Sequence, residues 1–203
     1  MMSLVLLNDL LVNKDQVSIS IDDRGYNFGD GIYEVIRIYD RNVFTAKEHL
    51  DRLERSAHEI GMDIKSERRT IESSIPMLID SNNIKDGILY MQISRGVAPR
   101  LHEFPGNNTK PYVIAYTKEM ERPLSLLQNG VSASVVKDLR WLRCDIKSLN
   151  LLANVLAKEE AKTKRGYEAI QHRDQIITEG SSSNIFMVKN QEVFTHPTTN
   201  LIL

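Results

Sequence analysis

The order of strand-like and helix-like stretches limits the fold of this chain more than any other feature of its sequence. In its first half, runs typical of strands occur at residues 4–7, 33–39, 87–94 and 112–116. Amphipathic helices are predicted at 46–61 and at about 70–81. Thr45 and Glu48 form a capping-box pattern at the first helix, whereas Pro76 is unfavourable inside the second. Because these elements mix without a regular βαβ repeat, we expect an α+β fold and not a doubly wound sheet.

A second set of elements follows residues 118–126, which interrupt the strand pattern and contain a proline. A helix is predicted at 149–164, with Ser148 as its N-cap and Gly166 as its stop. The predicted strands of this part are 131–136, 169–171, 175–178, 185–188 and 192–195. The sequence therefore predicts two domains, an N-terminal α+β domain at 1–118 and a C-terminal domain at 119–203.

Composition excludes several classes of function. The 26 Lys and Arg residues nearly balance the 27 Asp and Glu residues, so no net field favours nucleic acid or an anionic membrane. Cys144 is the only cysteine, which excludes an intrachain disulfide and a four-cysteine zinc site, and we expect no metal. The apolar run at 4–7 is too short for a signal peptide or a membrane span. No nucleotide-binding glycine motif is present. These features together favour a soluble, cytoplasmic protein.

Two segments could bind an anion. Residues 23–31 contain three glycines, which indicates either a tight loop before a strand or a close approach of the backbone to a ligand. Arg24 and Tyr33 flank these glycines and could contact an anion. Arg100 and His102 are separated by one residue, so in an extended loop both can point the same way and hold a carboxylate. The alternative for this second pair is an ordinary solvated loop.

Three further positions have side chains suited to catalysis or cofactor binding. Arg52, on the first predicted helix, is either a surface residue or a phosphate ligand. Lys147 lies between apolar neighbours, where partial desolvation can make an amine nucleophilic, although most lysines are simply solvated. Glu179 comes before a run of serines at 181–183, which is either a polar turn or an anion site beside an acid.

Taken in order, these motifs resemble the fold-type-IV pyridoxal 5′-phosphate (PLP) aminotransferases over the whole chain. That family includes D-amino-acid transaminases, branched-chain aminotransferases and aminodeoxychorismate lyases. The motifs that carry the resemblance are residues 23–34, His49-x-x-Arg52-Leu53, residues 145–150 and residues 178–184.

The resemblance implies roles for the candidate residues. Lys147 looks like the lysine that binds PLP covalently and moves a proton at the substrate Cα. Glu179 looks like the carboxylate that faces the pyridine nitrogen of the cofactor. Arg52 looks like a ligand of the cofactor phosphate, and Ser182 is the member of the serine run expected to contact the cofactor. The C-terminal domain is then the PLP-binding domain, with the cofactor between the two domains.

Within the family, the pair Arg100 and His102 resembles the D-amino-acid transaminases, as do residues 138–147. In that subgroup the pair acts with a loop tyrosine, here Tyr33, to bind the substrate α-carboxylate. The resemblance implies a homodimer that moves the amino group of D-alanine to 2-oxoglutarate, giving pyruvate and D-glutamate. The alternatives are a branched-chain L-aminotransferase, an aminodeoxychorismate lyase, or a fragment without catalytic activity. The last is considered because relatives continue beyond the position of Leu203, so we expect the C-terminal domain to be incomplete.

Overall fold

The computed structural model describes residues 3–106 and 108–203, which separate into two compact units. Unit 1 contains the described residues up to Arg122 together with Lys147–Leu149. Unit 2 contains Pro123–Ile146 and Asn150–Leu203. The domain boundary at 118 and 119 stays a prediction.

Unit 1 is an antiparallel sheet covered by helices. Its elements are β1 (Leu4–Leu7), β2 (Leu10–Asn13), α1 (Arg24–Phe28), β3 (Gly31–Tyr39), β4 (Asn42–Val43), α2 (Ala46–Glu59), α3 (Lys65–Ser81), β5 (Gly87–Ser94) and β6 (Tyr112–Glu119). The six strands lie in the order β2-β1-β6-β5-β3-β4, and every neighbouring pair is antiparallel. Helix α2 packs on β3, whereas α3 packs on β1 and β6. The antiparallel strands and the separate helices confirm the expected α+β class.

The core of unit 1 follows from the alternation of side chains along each strand. In β3, Ile32, Ile36 and Ile38 are fully buried and face the helices, as the two-residue period of a strand requires. Leu50 and Leu53 of α2 fill the same core from the other side. Glu34 occupies the one polar position on this buried face of β3, so it needs a charged partner.

Unit 2 mixes parallel and antiparallel pairing. Its elements are α4 (Leu124–Asn129), β7 (Ala133–Lys137), α5 (Leu152–Thr163), β8 (Glu168–Arg173), β9 (Ile176–Gly180), β10 (Phe186–Lys189) and β11 (Glu192–Thr195). Strands β7 and β8 are parallel and are joined through α5, while β9 is antiparallel to β8. Strands β10 and β11 form a separate hairpin, and its turn residues Asn190 and Gln191 have φ values of 52° and 65°. A pair of positive φ angles is typical of a two-residue type I′ turn.

Both N-caps predicted from the sequence are wrong. Thr45 has φ 50° and ψ 42°, and its side chain makes no capping bond, because an N-cap hydroxyl reaches the helix N–H groups from the β region. Ser148 forms a β-bridge with Ile32, so α5 begins only at Leu152 and its N-cap is Leu151. In both places the surrounding structure sets the backbone and overrides the local pattern.

Two other local predictions need correction. Residues 23–31 are not only a loop, because α1 forms there, with the Asp23 side chain accepting a hydrogen bond from Tyr26 N and Gly29 ending the helix at φ 66°. Helix α3 begins at Lys65, before the predicted start at 70, and continues through Pro76. Pro76 lies on the exposed face of α3, where water can replace the helix hydrogen bond that proline removes.

Candidate active site

The segment Lys147–Leu149 lies along the beginning of β3. Tyr33 N donates to Lys147 O at 3.1 Å, and Leu149 N donates to Gly31 O at 3.0 Å. Gly31 permits this approach, because a Cβ there would lie 2.8 Å from Leu149 Cδ1 and 2.5 Å from the Ile93 carbonyl oxygen. The backbone of Lys147 is therefore fixed against a central strand, although the residue is far from it in sequence.

The amine of Lys147 lies over an aromatic ring. Its Nζ is 4.4 Å from the ring centroid of Tyr33, and Tyr33 stacks on Tyr90, which stacks on Tyr116. Burial, together with the charges of Tyr116 and Tyr33, raises the pKa of Tyr90 to about 12. Tyr90 therefore stays neutral at physiological pH, and the three stacked rings give the lysine a half-buried aromatic surface.

Helix α2 brings Arg52 close to the lysine segment. Ser56 lies one turn after Arg52 and is fully buried, and its hydroxyl accepts a hydrogen bond from Lys147 N at 3.2 Å. Arg52 forms a two-point ion pair with Glu34, with Nε to Oε1 at 2.5 Å and Nη2 to Oε2 at 2.9 Å. His49 Nδ1 lies 2.9 Å from Glu34 Oε2. The buried Glu34 thus fixes the guanidinium plane of Arg52.

Arg100 and His102 meet at one ring. The Arg100 guanidinium lies 5.1 Å from the centroid of Phe28, and the His102 ring meets Phe28 edge to face at 5.7 Å. Both residues are exposed to solvent. The structure therefore brings together the two side chains that the sequence suggested could act as a pair.

In unit 2, Glu179 is the end point of a buried ion-pair network. Its carboxylate accepts hydrogen bonds from Arg140 Nη1, from Asn184 Nδ2 at 3.2 Å and from Leu203 N at 3.3 Å. Arg140 also makes a two-point pair with Asp138, at 3.0 Å and 2.8 Å. Glu179, Arg140 and Asp138 have nearly inaccessible side chains, so their charges are stabilised by one another.

Asp138 accepts hydrogen bonds from several side chains of this network. Burial favours its neutral form, but hydrogen bonds from Arg140, Arg173 and Thr178 dominate and hold the pKa of Asp138 well below its usual range. The hydrogen bond to Asp138 and the charge of Glu179 outweigh the burial of Arg140 and raise the pKa of its guanidinium. Arg140 therefore stays charged beside Glu179.

The serine run binds a carboxylate in this structure. Ser181, Ser182 and Ser183 all donate to Glu168, and the last two do so at 3.1 Å each. Burial raises the pKa of Glu168, but these hydroxyls, the N–H of Ala169 and nearby charge outweigh it and lower the pKa to about 2. The segment is thus an anion-binding turn, with Ser182 on its exposed side.

Sequence reasoning missed five residues of these clusters: Glu34, Ser56, Asp138, Arg140 and Glu168. Glu34 and Ser56 are polar residues at strand and helix positions that the periodicity assigns to the core. A polar residue at a core position is a signal that the sequence alone offers. Asp138 and Arg140 are two residues apart and share one side of an extended segment, which is a weaker signal. Nothing local identifies Glu168 as the partner of the serines.

Within residues 3–106 and 108–203, no group of three or more His, Cys, Asp or Glu residues could hold a metal ion. Among the helices of this described part, none is both long enough and apolar enough to cross a membrane.

Comparisons with known proteins identify the family. The family model "Amino-transferase class IV" matches residues 31–203. A D-alanine aminotransferase of Staphylococcus epidermidis is 50% identical over 202 residues, which cover 100% of this chain and 72% of that protein. A solved branched-chain aminotransferase from Thermoproteus uzoniensis has a TM-score of 0.87 at 24% identity, covering 100% of this chain and 71% of that one.

A second solved structure agrees in fold. A hypothetical aminotransferase from Mycobacterium tuberculosis in its PLP-bound form has a TM-score of 0.78 at 21% identity, covering 98% of this chain and 72% of that one. These solved structures share the fold-type-IV architecture, which confirms the expected fold. With a matching family model and a relative at half identity, this chain belongs to the class IV aminotransferases.

Proposed function

We propose that this chain moves the amino group of D-alanine to 2-oxoglutarate, giving pyruvate and D-glutamate. The observation that carries the proposal is the fixed amine of Lys147 over Tyr33, in a chain half identical to a D-alanine aminotransferase. A fixed, half-buried amine beside a ring is suited to carbonyl chemistry, and the relative's name gives the substrate.

The side chains of each unit fit PLP, the cofactor of this family. In unit 1, Lys147 offers an amine for the aldehyde, and Arg52 offers a guanidinium for the phosphate, one helical turn from the residue that fixes the lysine backbone. In unit 2, Glu179 offers a carboxylate for the pyridine nitrogen, and the anion-binding turn offers Ser182, whose hydroxyl donates to Glu168 in this structure. We propose Arg52, Lys147, Glu179 and Ser182 as the cofactor ligands.

PLP, when bound, would supply an electron sink that lets the Cα–H bond of the substrate break. Lys147 Nζ takes that proton as a general base and later returns it as a general acid. Hydrogen bonds from Tyr33 N and to Ser56 Oγ keep the lysine backbone fixed during the transfer. The aromatic surface of Tyr33 excludes water from one side of the amine.

Glu179 has a different task, which is to hold a proton at the pyridine nitrogen. A carboxylate does this only while it remains ionised and correctly aimed. Arg140 aims the Glu179 carboxylate through a direct hydrogen bond, and Asp138 keeps Arg140 in place.

Tyr33, Arg100 and His102 are proposed to bind the substrate α-carboxylate. Arg100 and His102 share the ring of Phe28 and are both accessible to a small anion. Fixing the carboxylate decides which enantiomer presents its Cα–H to Lys147, so these three residues would set the preference for D-amino acids.

A direct test is the absorption spectrum of the purified chain with PLP, recorded before and after D-alanine and, separately, L-alanine. The proposal requires a visible band from bound PLP that D-alanine bleaches and L-alanine does not. A branched-chain L-aminotransferase, the fold relative at 24% identity, would respond to L-amino acids instead. The variant Arg100→Ala should lose activity with D-alanine while it still binds PLP.

We also propose that the chain works in the cytoplasm as a homodimer. The single buried Cys144 is in keeping with a reducing compartment. Beside Arg100, the apolar residues Val97, Leu101 and Phe104 are 48%, 61% and 63% exposed, which is typical of a surface that a second subunit covers. Analytical ultracentrifugation tests the dimer, and activity regained by mixing inactive Lys147→Ala and Arg100→Ala chains would show that each site uses residues of both subunits.

A further inference from the structure

The ring of Phe28 is shared by three side chains. It receives the guanidinium of Arg24 at 4.8 Å, that of Arg100 at 5.1 Å, and the edge of His102 at 5.7 Å with a 70° angle between the rings. Cations over a ring face and an edge-to-face aromatic pair are both favourable arrangements. Phe28 is thus a common support for the proposed carboxylate-binding pair.

Arg24 holds the backbone between the members of that pair. Its Nη1 donates to the carbonyl oxygen of Leu101 at 2.7 Å, and Leu101 is the residue between Arg100 and His102. Arg24 is only 3% exposed, so this contact is shielded from water. The backbone at Leu101 and the side chains on either side of it are therefore held by α1.

Arg24 is itself fixed by a buried carboxylate. Asp30 Oδ2 accepts from Arg24 Nε at 2.7 Å and from Arg95 Nε at 2.8 Å. Arg95 continues to the carbonyl oxygen of Ile60 at 2.6 Å, at the end of α2. Although burial opposes it, pairing with the two arginines lowers the pKa of Asp30. This chain of contacts connects α1, the segment after β5 and the end of α2.

The charges on the two arginines over Phe28 differ in their surroundings. The charge of Arg24 is paired with Asp30 and buried, whereas Arg100 is exposed and forms no ion pair within residues 3–106 and 108–203. A carboxylate that approaches this ring would therefore meet one fixed, unbalanced cation and the ring of His102 beside it. Holding both groups in advance reduces the entropy lost when an anion binds.

We propose that Arg24 and Phe28 are positioning residues for the substrate α-carboxylate, which hold Arg100 and His102 in the geometry that binds it. The inference rests on the proposed function and adds two residues that contact neither substrate nor cofactor. Their loss should weaken carboxylate binding and leave the chemistry at Lys147 nearly unchanged.

The test compares Phe28→Leu with Phe44→Leu in the PLP-loaded chain. Phe44 is a matched control, because its ring also makes an edge-to-face contact, with Tyr39 at 5.9 Å, away from the proposed site. We expect Phe28→Leu to raise KM for D-alanine about tenfold, as the loss of two such contacts implies, with kcat changed less than about twofold. Phe28→Tyr keeps the ring and should restore the KM of the unaltered chain.

Three results would overturn this inference: equal KM values for Phe28→Leu and Phe44→Leu, a loss of kcat or of the PLP band that accompanies the change in KM, or no recovery with Phe28→Tyr. A second readout follows the Arg100 Nε–H signal by NMR during titration with D-alanine. If the unaltered chain turns over no D-alanine, the proposed function fails, and this titration alone decides on the positioning role. Binding that is about tenfold weaker in Phe28→Leu supports the role, whereas no shift in the unaltered chain or equal binding in both overturns it.

Discussion

The two units bury very different kinds of side chain. The core of unit 1 contains large aliphatic residues in an extended cluster, such as Leu53 and Leu89, both at 0% exposure. The corresponding cluster in unit 2 has four members, Val136, Ala157, Ala161 and Ala169. Apolar burial therefore supplies much more of the stability of unit 1 than of unit 2.

Besides this small apolar cluster, unit 2 buries a network of charges. Asp138 and Arg140 have side chains that are 0% and 6% exposed, and Glu179 completes the network at 7%. Such a network contributes little net stability, but the loss of one member leaves the others unpaired. Under the proposed function, unit 1 is a rigid support for the amine of Lys147, whereas unit 2 supplies oriented charge for the cofactor ring.

The largest expected effect tests the division of chemistry between the units. Lys147→Ala should lower the rate with D-alanine by about a thousandfold, because it removes the proposed general base. The control is Lys162→Ala in α5, whose side chain is 78% exposed, and it should keep full activity. If Lys147→Ala keeps most of the activity, the amine chemistry does not belong to unit 1. The measurement is steady-state transamination at saturating PLP.

A core substitution tests whether apolar burial dominates unit 1. Leu53→Ala should lower the free energy of unfolding by about 3 kcal/mol, because it leaves a cavity in a fully buried position. Each unit has its own spectroscopic probe. Six of the seven tyrosines lie in unit 1, whereas Trp141, the only tryptophan, lies in unit 2. In Leu53→Ala, the urea midpoint measured by near-ultraviolet circular dichroism of tyrosine should therefore fall more than the midpoint measured by Trp141 fluorescence.

The control for this experiment is Leu152→Ala, because Leu152 is 71% exposed and its loss should be nearly neutral. Equal shifts of the tyrosine and tryptophan transitions in Leu53→Ala would mean that the two units unfold as one. The energetic comparison between them would then have no meaning in solution.

Acid should act on unit 2 through its depressed carboxyl pKa values. A carboxyl group whose pKa is lowered by folding contributes stability above its unfolded pKa, and this stability is lost as the pH falls through the folded pKa. For Glu168 the window runs from 4.5 down to about 2. Trp141 fluorescence should therefore report a loss of unit 2 stability in this pH range. Glu168→Gln should make the free energy of unfolding depend less on pH.

The matched control for the acid experiment is Glu159→Gln. Because the Glu159 side chain is 66% exposed, this substitution should leave the dependence of stability on pH unchanged. A profile for Glu168→Gln identical to that of the unaltered chain would refute the assignment of the acid transition to the serine turn.

The smallest expected effect concerns the hairpin of β10 and β11. Gln191 has φ 65°, a conformation that glycine adopts without strain. Gln191→Gly should therefore raise the free energy of unfolding by about 0.5 kcal/mol, measured with urea and Trp141 fluorescence. Thr195→Gly, in extended backbone of the same hairpin, should have the opposite sign.

The elements with strong local patterns were predictable, and those set by distant contacts were not. Strands β1, β5 and β11 have the predicted bounds, because their alternating or apolar runs end at clear turn residues. The five-residue helix α1 was missed, since a single turn has no measurable periodicity. Ser148 failed as a cap because its backbone pairs with Ile32, more than a hundred residues earlier in the chain.

The same limit applies to the candidate site. Residue types made Lys147, Arg52 and Glu179 candidates, and only the resemblance to the family gave them roles. Their partners could not be deduced, since the pairing of Arg52 with Glu34 and of Glu179 with Arg140 depends on the packing of separate elements. Their roles in cofactor binding remain predictions that the experiments above address.

The pairing of Lys147–Leu149 with the beginning of β3 has a consequence for synthesis on the ribosome. Strand β4 pairs only with Ile38 and Tyr39, so it does not cover the Gly31–Tyr33 end of β3. A nascent chain that ends at Arg122 holds the whole sheet of unit 1, but the segment that pairs with this edge has not yet been made. Exposed strand edges recruit other chains, so newly made copies keep this site for unwanted pairing until residue 149 has emerged.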